Sequence, residues 1–420
     1  MSKRIICIAT WGNPAGWDCK EYIFNEDSDC GKTSLRIIKR KINPDMTILV
    51  GLDTLAREGS SYEEIRRSAE NVYSDYLKEF GLTVDRMIIA PGVGDFRDKI
   101  FIGDMSDFYA YVMCKLEEFL PAGEDLELHL DLTHGINFMP ALTYRAVREL
   151  AEIIPAKVRL FVYNSDPFSK EASYLRVNLV ESDEIPWRPS LNKLSNSLEL
   201  LRPIDLSESE REELFRYELK KYGEVKKKVK ELNAFTGSVV NGLPLALFRF
   251  YPETELLDEC IKEVMMFYNR YIMVSKEDGK IKVKRRLSLG RDFPSLIKLI
   301  LTAKILKELG IEKKNEVELE KLNELKDNIF HRNKRIEVMI SNDLHKIEER
   351  KRDVTDDWKK LKEFLGYKGG YDSRNFLAHS GLEENAVEIR REGNRVMLRY
   401  CDDMIDRVIE DSAIGLISWE

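Results

Sequence analysis

The chain is 420 residues long, with 34% charged and 43% hydrophobic residues and a net charge of −7. This length accommodates two or three domains, each burying its own core. The negative balance excludes a protein held on nucleic acid by its global field, so any such contact has to come from a local basic patch.

Residues 1–180 alternate short apolar runs with amphipathic stretches. Strands are predicted over Arg4–Thr10, Met46–Leu52, Arg86–Ala90, Leu126–Leu132, Val158–Tyr163 and Leu175–Leu179, and helices over Ser34–Ile42, Tyr62–Glu79, Ser106–Phe119 and Pro140–Ile153. This is the βαβα pattern of a Rossmann-like α/β domain with a parallel sheet covered on both faces. Pro186-Trp187-Arg188-Pro189 breaks the pattern and marks a domain boundary. Arg270–Ser275 and Lys280–Arg286 flank Lys276-Glu277-Asp278-Gly279 and read as a β-hairpin whose second arm is strongly basic. A hairpin that follows helices is how a winged helix ends; the other reading is a charged surface hairpin without a partner. From residue 287 helical periodicity dominates, over Phe293–Leu309, Leu319–Phe330, Arg335–Arg350, Thr355–Leu365 and Arg399–Ile414. The expected organisation is an α/β domain over 1–185, a helical, possible winged-helix linker over 186–286 and an all-α domain over 287–420.

Cys7, Cys19, Cys30, Cys114, Cys260 and Cys401 are scattered, without a Cys-x-x-Cys pair or zinc-finger spacing. Reduced thiols are expected, with neither disulfides nor a metal site. No apolar run approaches membrane-spanning length, and the run that ends at Thr10 is too short for a secretory signal. A cytoplasmic protein without membrane contact is expected.

Two segments carry chemistry. Asp131-Leu132-Thr133-His134-Gly135-Ile136-Asn137 follows a strand and opens a helix. Free N–H groups at a helix start suit an anion. Thr133 and Asn137 add side-chain donors, and Gly135 admits a ligand to the backbone. Asp131 is expected to bond the turn's own amides or a ribose hydroxyl. A capped turn with no ligand is the competing reading. The first strand ends similarly, at Thr10-Trp11-Gly12-Asn13, and in a doubly wound sheet both loops open on one edge. Trp11 either stacks on a base or covers the sheet edge. Gly31-Lys32-Thr33-Ser34 imitates the end of a Walker A motif, but Glu26 stands where that motif needs its first glycine. Ser34 is expected to cap the helix that follows.

The second segment is Asp372-Ser373-Arg374-Asn375-Phe376-Leu377-Ala378-His379-Ser380-Gly381, in a chain with five histidines. Ser373 is suited to cap a helix and Gly381 to end one. Asn375 and His379 share a helical face. An imidazole that titrates near neutrality beside a permanent cation suits work on a phosphodiester. A satisfied helix-end histidine is the plainer alternative.

The Asp-Leu-Thr-His-Gly segment after a Rossmann-like strand, with Arg374-Asn375-x-x-x-His379 in a helical C-terminal domain, resembles the CARF–HEPN ribonucleases of type III CRISPR systems, the Csx/Csm type. The resemblance implies a homodimer, or a higher oligomer, in which two sensor domains bind one cyclic oligoadenylate, with tetra-adenylate the expected ring, as allosteric activator. Thr10, Trp11, Gly12, Asn13, Asp131, Thr133, His134, Gly135, Ile136 and Asn137 are the residues it assigns to that ligand. Arg374, Asn375 and His379 of two protomers would cleave single-stranded RNA without a metal or other catalytic cofactor, through attack of the ribose 2′-OH. A ligand-controlled DNA-binding transcriptional regulator, with the basic hairpin as a wing, is the main rival. Cleavage of the activator within the sensor pocket is a lesser one.

Overall fold

The computed structural model describes residues 3–121 and 123–417. The chain divides into two compact units. The first comprises the stretch ending at Ile185, Leu200–Leu219 and Lys262–Pro294. The second comprises Pro186–Glu199, Lys220–Ile261 and the stretch from Ser295 onward.

The first unit is built on β1 (Lys3–Trp11), β2 (Lys20–Phe24), β3 (Asp27–Gly31), α1 (Leu35–Ile42), β4 (Met46–Leu52), α2 (Tyr62–Glu79), β5 (Arg86–Ala90), β6 (Gly94–Asp95), β7 (Lys99–Ile102), α3 (Ser106–Glu117), β8 (Asp125–His134), α4 (Phe138–Ala151), β9 (Val158–Ser165) and β10 (Tyr174–Ile185). Its main sheet runs β3-β2-β10-β9-β8-β1-β4-β5. The five strands from β9 to β5 are parallel, and β10 turns antiparallel to β9. β1 and β4 are almost wholly buried, which is why they read as unbroken apolar runs. The chain leaves β1 toward β4 on one side and later returns as β8 on the other. The topological switch point therefore lies between the carboxyl ends of β1 and β8, where ligands of such sheets sit. The hairpin β2–β3 was not anticipated. Asp27-Ser-Asp-Cys-Gly31 has almost no strand propensity and is held at the sheet edge by backbone pairing to β2.

The basic hairpin exists, as β12 (Ile272–Glu277) and β13 (Lys280–Arg285). Asp278 and Gly279 both take positive φ, 50° and 79°, as a two-residue hairpin turn demands. It is not a free wing. β13 pairs in parallel with β7, from Ile281 opposite Lys99 to Lys284 opposite Ile102, inside a sheet ordered β12-β13-β7-β6. Leu201–Pro203 (β11) and Leu287–Leu289 (β14) pair within the same unit. The stretch expected as a linker is thus divided between the two units. Nor is its charge available. Lys280 pairs with Asp95, Lys282 with Glu277, Lys284 with Asp205, Arg285 with Asp53 and Arg286 with Glu210.

In the second unit, helices Val229–Asn241, Leu319–Asn328, Lys334–Glu349 and Ile405–Ser412 surround much of the core. Gly237 lets two of them close: a Cβ there would lie 1.9 Å from the Ser412 carbonyl oxygen. The expectation of an all-α C-terminal domain needs correction. β15 (Val317–Glu318), β16 (Lys359–Lys360), β17 (Val387–Glu392) and β18 (Arg395–Tyr400) form an antiparallel sheet ordered β15-β18-β17-β16. Val387 and Ile389, then Val396, Leu398 and Tyr400, bury alternate positions around a turn at Gly393 with φ +61°. The β18 strand takes the first two residues of the expected Arg399–Ile414 helix, which is replaced by a 3-10 turn over Asp402–Met404 and an α-helix over Ile405–Ser412.

Candidate functional site

Two groups of side chains carry the chemistry, one in each unit. In the first unit, β1 and β8 end side by side. Their register places Ala9 opposite Asp131 and Trp11 opposite His134, and the Gly12 N–H donates to the His134 carbonyl at 2.8 Å. A Cβ on Gly12 would lie 2.5 Å from Ile136 Cγ2, and one on Gly135 would lie 2.5 Å from Thr10 Oγ1. Only glycine permits the two loops this approach.

Asp131 is buried. Its carboxylate accepts from the Ser34 hydroxyl at 2.8 Å and from the Thr133 N–H at 3.0 Å. Burial pushes the carboxyl upward, and the bonds from Thr133 and Ser34 pull it back. Ser34 therefore spends its hydroxyl on Asp131 and makes no side-chain cap on α1. Its N–H instead points at His134 Nε2, 3.3 Å away, and the Tyr22 hydroxyl lies 3.2 Å from the same nitrogen. A backbone donor on Nε2 puts the ring proton on Nδ1. Burial holds the imidazole neutral by lowering its pKa to about 4.

The Trp17 ring lies 4.2 Å from that of His134, tilted by 32°. Beside them opens a cavity of about 530 Å³, lined among others by Trp17, Tyr22, Lys32, Thr133, His134, Gly135, Ile136 and Phe168. The volume suits a ligand of a few hundred daltons. Trp17 and the exposed Phe168 offer aromatic faces, while the Lys32 ammonium is already paired with Glu79 at 2.8 Å. Thr10, Trp11, Gly12 and Asp131 are buried residues that do not line this cavity. Trp11 packs edge-on against Trp17 at 5.3 Å and near Phe80 at 5.8 Å, so its ring covers the sheet edge and offers no base platform. Asn13 is exposed and accepts from the Ala15 N–H at 3.0 Å. Asn137, also exposed, takes φ +48° just before α4.

In the second unit, a helix covers Ser373–Ala378. Its cap is Asp372, one residue before the expected Ser373, and the carboxylate accepts from the Arg374 N–H at 2.7 Å. Ser380 and Gly381, at φ +50° and +77°, turn the chain away after His379. Phe376 anchors the helix among buried groups, near the Tyr371 and Tyr400 rings. Arg374 and Asn375 are exposed. The Arg374 guanidinium makes no hydrogen bond or ion pair among the described residues. His379 has 31% of its side chain exposed, with Nδ1 3.0 Å from Asp343 Oδ1. Asp343 comes from the Lys334–Glu349 helix and is 8% exposed, and Lys346 Nζ reaches the same oxygen at 2.8 Å.

The family model of the CARF domain of the CRISPR system endoribonuclease Csx1 matches residues 6–167. The model of the HEPN domain of the same endoribonuclease matches residues 333–403. The CRISPR system endoribonuclease Csx1 of Methanocaldococcus jannaschii is 33% identical over 419 residues, covering 91% of this chain and 86% of its own length. The chain belongs to the Csx1 family. The cavity beside His134 thus lies in the CARF segment, and Asp343, Arg374 and His379 lie in the HEPN segment. Sequence reasoning missed Asp343, because nothing local ties it to a histidine 36 residues later. Its only signal is the Asp343/Lys346 spacing on one helical face. It also missed Trp17 and Tyr22, which follow a turn and sit on an unforeseen hairpin. Among the described residues no group of three or more His, Cys, Asp or Glu is placed to hold a metal ion, and no helix is long and apolar enough to cross a membrane. All six cysteines are free.

Proposed function

We propose that this Csx1-family chain is a CRISPR-associated endoribonuclease that cuts single-stranded RNA without a metal and is switched on by a cyclic oligoadenylate. The observation that carries the reading is the HEPN-segment arrangement. Among the described residues Arg374 is exposed and unpaired, and His379 has one ring nitrogen bonded to a carboxylate and the other without a protein partner. In this reading two protomers combine their Arg374 and His379 side chains around one phosphodiester. His379 takes the proton of the ribose 2′-OH as that oxygen attacks phosphorus. The bond from phosphorus to the 5′-oxygen breaks, and that oxygen receives a proton. Arg374 holds the charge that builds on the phosphorane oxygens. The products are a 2′,3′-cyclic phosphate and a 5′-hydroxyl. Asn375 would position the phosphate or the histidine.

The CARF cavity is the proposed seat of the activator. Trp17 and Phe168 offer stacking faces, and the Thr133–Ile136 turn its backbone. The activator has to favour the cutting arrangement over the idle one, because equal affinity for both would shift nothing. The deciding experiment is cleavage of labelled single-stranded RNA in EDTA, with and without cyclic tetra-adenylate, beside His379→Ala and Arg374→Ala. Cutting that needs the ring and disappears in both variants is expected. Full cutting by either variant would remove the catalytic assignment.

A further inference from the structure

We propose that Asp343 is the positioning residue of the nuclease centre. It fixes the His379 imidazole as the Nδ1–H tautomer and so leaves Nε2 as the atom that exchanges protons with RNA. This rests on the reading that His379 is the proton-transfer group.

The argument begins with a single oxygen. Asp343 Oδ1 lies 3.0 Å from His379 Nδ1 and 2.8 Å from Lys346 Nζ. A lysine ammonium has only donors, so Oδ1 is an acceptor, and an acceptor facing Nδ1 requires the proton on Nδ1. Desolvation works against the Lys346 charge, but its hydrogen bond and attraction to Asp343 prevail and hold the ammonium above the ordinary lysine range. The cation therefore stays in place to keep the carboxylate an acceptor. Asp343 is itself well fixed: it is 8% exposed and sits in the middle of the sixteen-residue Lys334–Glu349 helix. His379, by contrast, stands just past a six-residue helix, where its backbone alone would leave the ring free to turn. Tyr367 and Glu384 lie near Lys346, and no charged group other than Asp343 bonds the His379 ring among the described residues.

A free imidazole prefers its proton on Nε2, which would leave the donor nitrogen, and not the base, facing solvent. An orienting carboxylate reverses that choice; its loss lowers activity about 10–100-fold where the histidine binds a metal, and up to about 10⁴-fold where the histidine is a general base. The test uses the full-length protein with cyclic tetra-adenylate and labelled RNA, comparing wild type with Asp343→Ala, Asp343→Asn and His379→Ala. Nitrogen-15 spectra of histidine-labelled protein report which nitrogen of His379 carries the proton.

In Asp343→Ala, kcat should fall by at least about 10-fold with KM within twofold, and the proton should move to Nε2. Asp343→Asn keeps the shape and guards against misfolding of the alanine variant. Lys346 would hold the amide oxygen, the amide N–H would face Nδ1, and the same loss and tautomer change are expected. A kcat within twofold of wild type in either variant overturns the proposal. So does a lower kcat with the proton still on Nδ1, which would mean a structural effect only. If His379→Ala cuts as well as wild type, or wild type does not cut, the parent reading falls and takes this one with it. If His379→Ala is dead and Asp343→Asn is fully active, this proposal alone is wrong.

Discussion

Arg285 and Asp53 form an ion pair in which neither side chain is exposed to solvent. Asp53 follows β4 directly. Its carboxylate also accepts from the Gly92 N–H at 2.8 Å and the Tyr62 hydroxyl at 3.0 Å, and Arg285 donates a further bond to the Gly92 carbonyl at 2.8 Å. Burial pushes the Asp53 carboxyl upward, while Arg285, Gly92 and Tyr62 pull it back. Replacing Arg285 by leucine keeps much of the volume and leaves the carboxylate with two neutral donors. Breaking a buried pair from one side costs about 3–5 kcal/mol. Asp53→Leu combined with Arg285→Met removes the stranded charge and should recover part of the loss, while the Gly92 backbone groups and the Tyr62 hydroxyl go without the partners they now have. Hydrogen exchange of the β4 and β13 amides is the suitable assay, since a chain with two units has no single unfolding free energy.

The sign with pH follows from the same geometry. Without the guanidinium, Asp53 binds a proton more readily folded than unfolded. The deficit of Arg285→Leu is then largest at neutral pH and shrinks as pH falls toward the raised carboxyl range. A deficit below about 1 kcal/mol, or one that grows with acid, would refute the reasoning.

Trp17→Ala should weaken cyclic tetra-adenylate binding by about 1–3 kcal/mol, the worth of one base–aromatic stack, with RNA cleavage at saturating activator unchanged; titration calorimetry would read it, and equal affinity would remove Trp17 from the site. His134 has a folded pKa lowered to about 4 by burial. The unfolded state takes up its proton first as pH falls from about 6.5, so stability drops down to the folded value and levels below it. The loss from this residue is of order 2–3 kcal/mol between neutral pH and pH 4. Hydrogen exchange of the β1 and β8 amides in wild type and His134→Phe across that range would check it, and parallel curves would contradict it.

Much of the first unit was legible because its central strands are buried on both faces. Met46–Leu52 and Arg86–Ala90 appear in the sequence as unbroken apolar runs with turn residues at their ends, and the structure has the same limits. The switch-point loops were legible for the same reason: once β1 is central, its end and that of β8 share an edge. What was hidden depends on partners distant in the chain. The Asp27–Gly31 strand exists through pairing, and its own residues disfavour it. The Arg285 charge looked available because nothing near it in sequence reveals Asp53, 232 residues earlier. The Val387–Tyr400 hairpin was overlooked: most of it was assigned to no element, and its last two residues were placed in the expected Arg399–Ile414 helix. In the HEPN segment the Arg–His spacing singled out one short helix, but the carboxylate bonded to the His379 ring comes from another one.

The hairpin whose every lysine and arginine from Lys280 to Arg286 meets an acid has a consequence for how this surface meets nucleic acid. A strong positive surface holds any RNA it touches, whatever its sequence, and gives it up slowly. Self-neutralised charge, on a chain that is negative overall, removes that stickiness. This face of the chain therefore offers a polyanion no lasting hold.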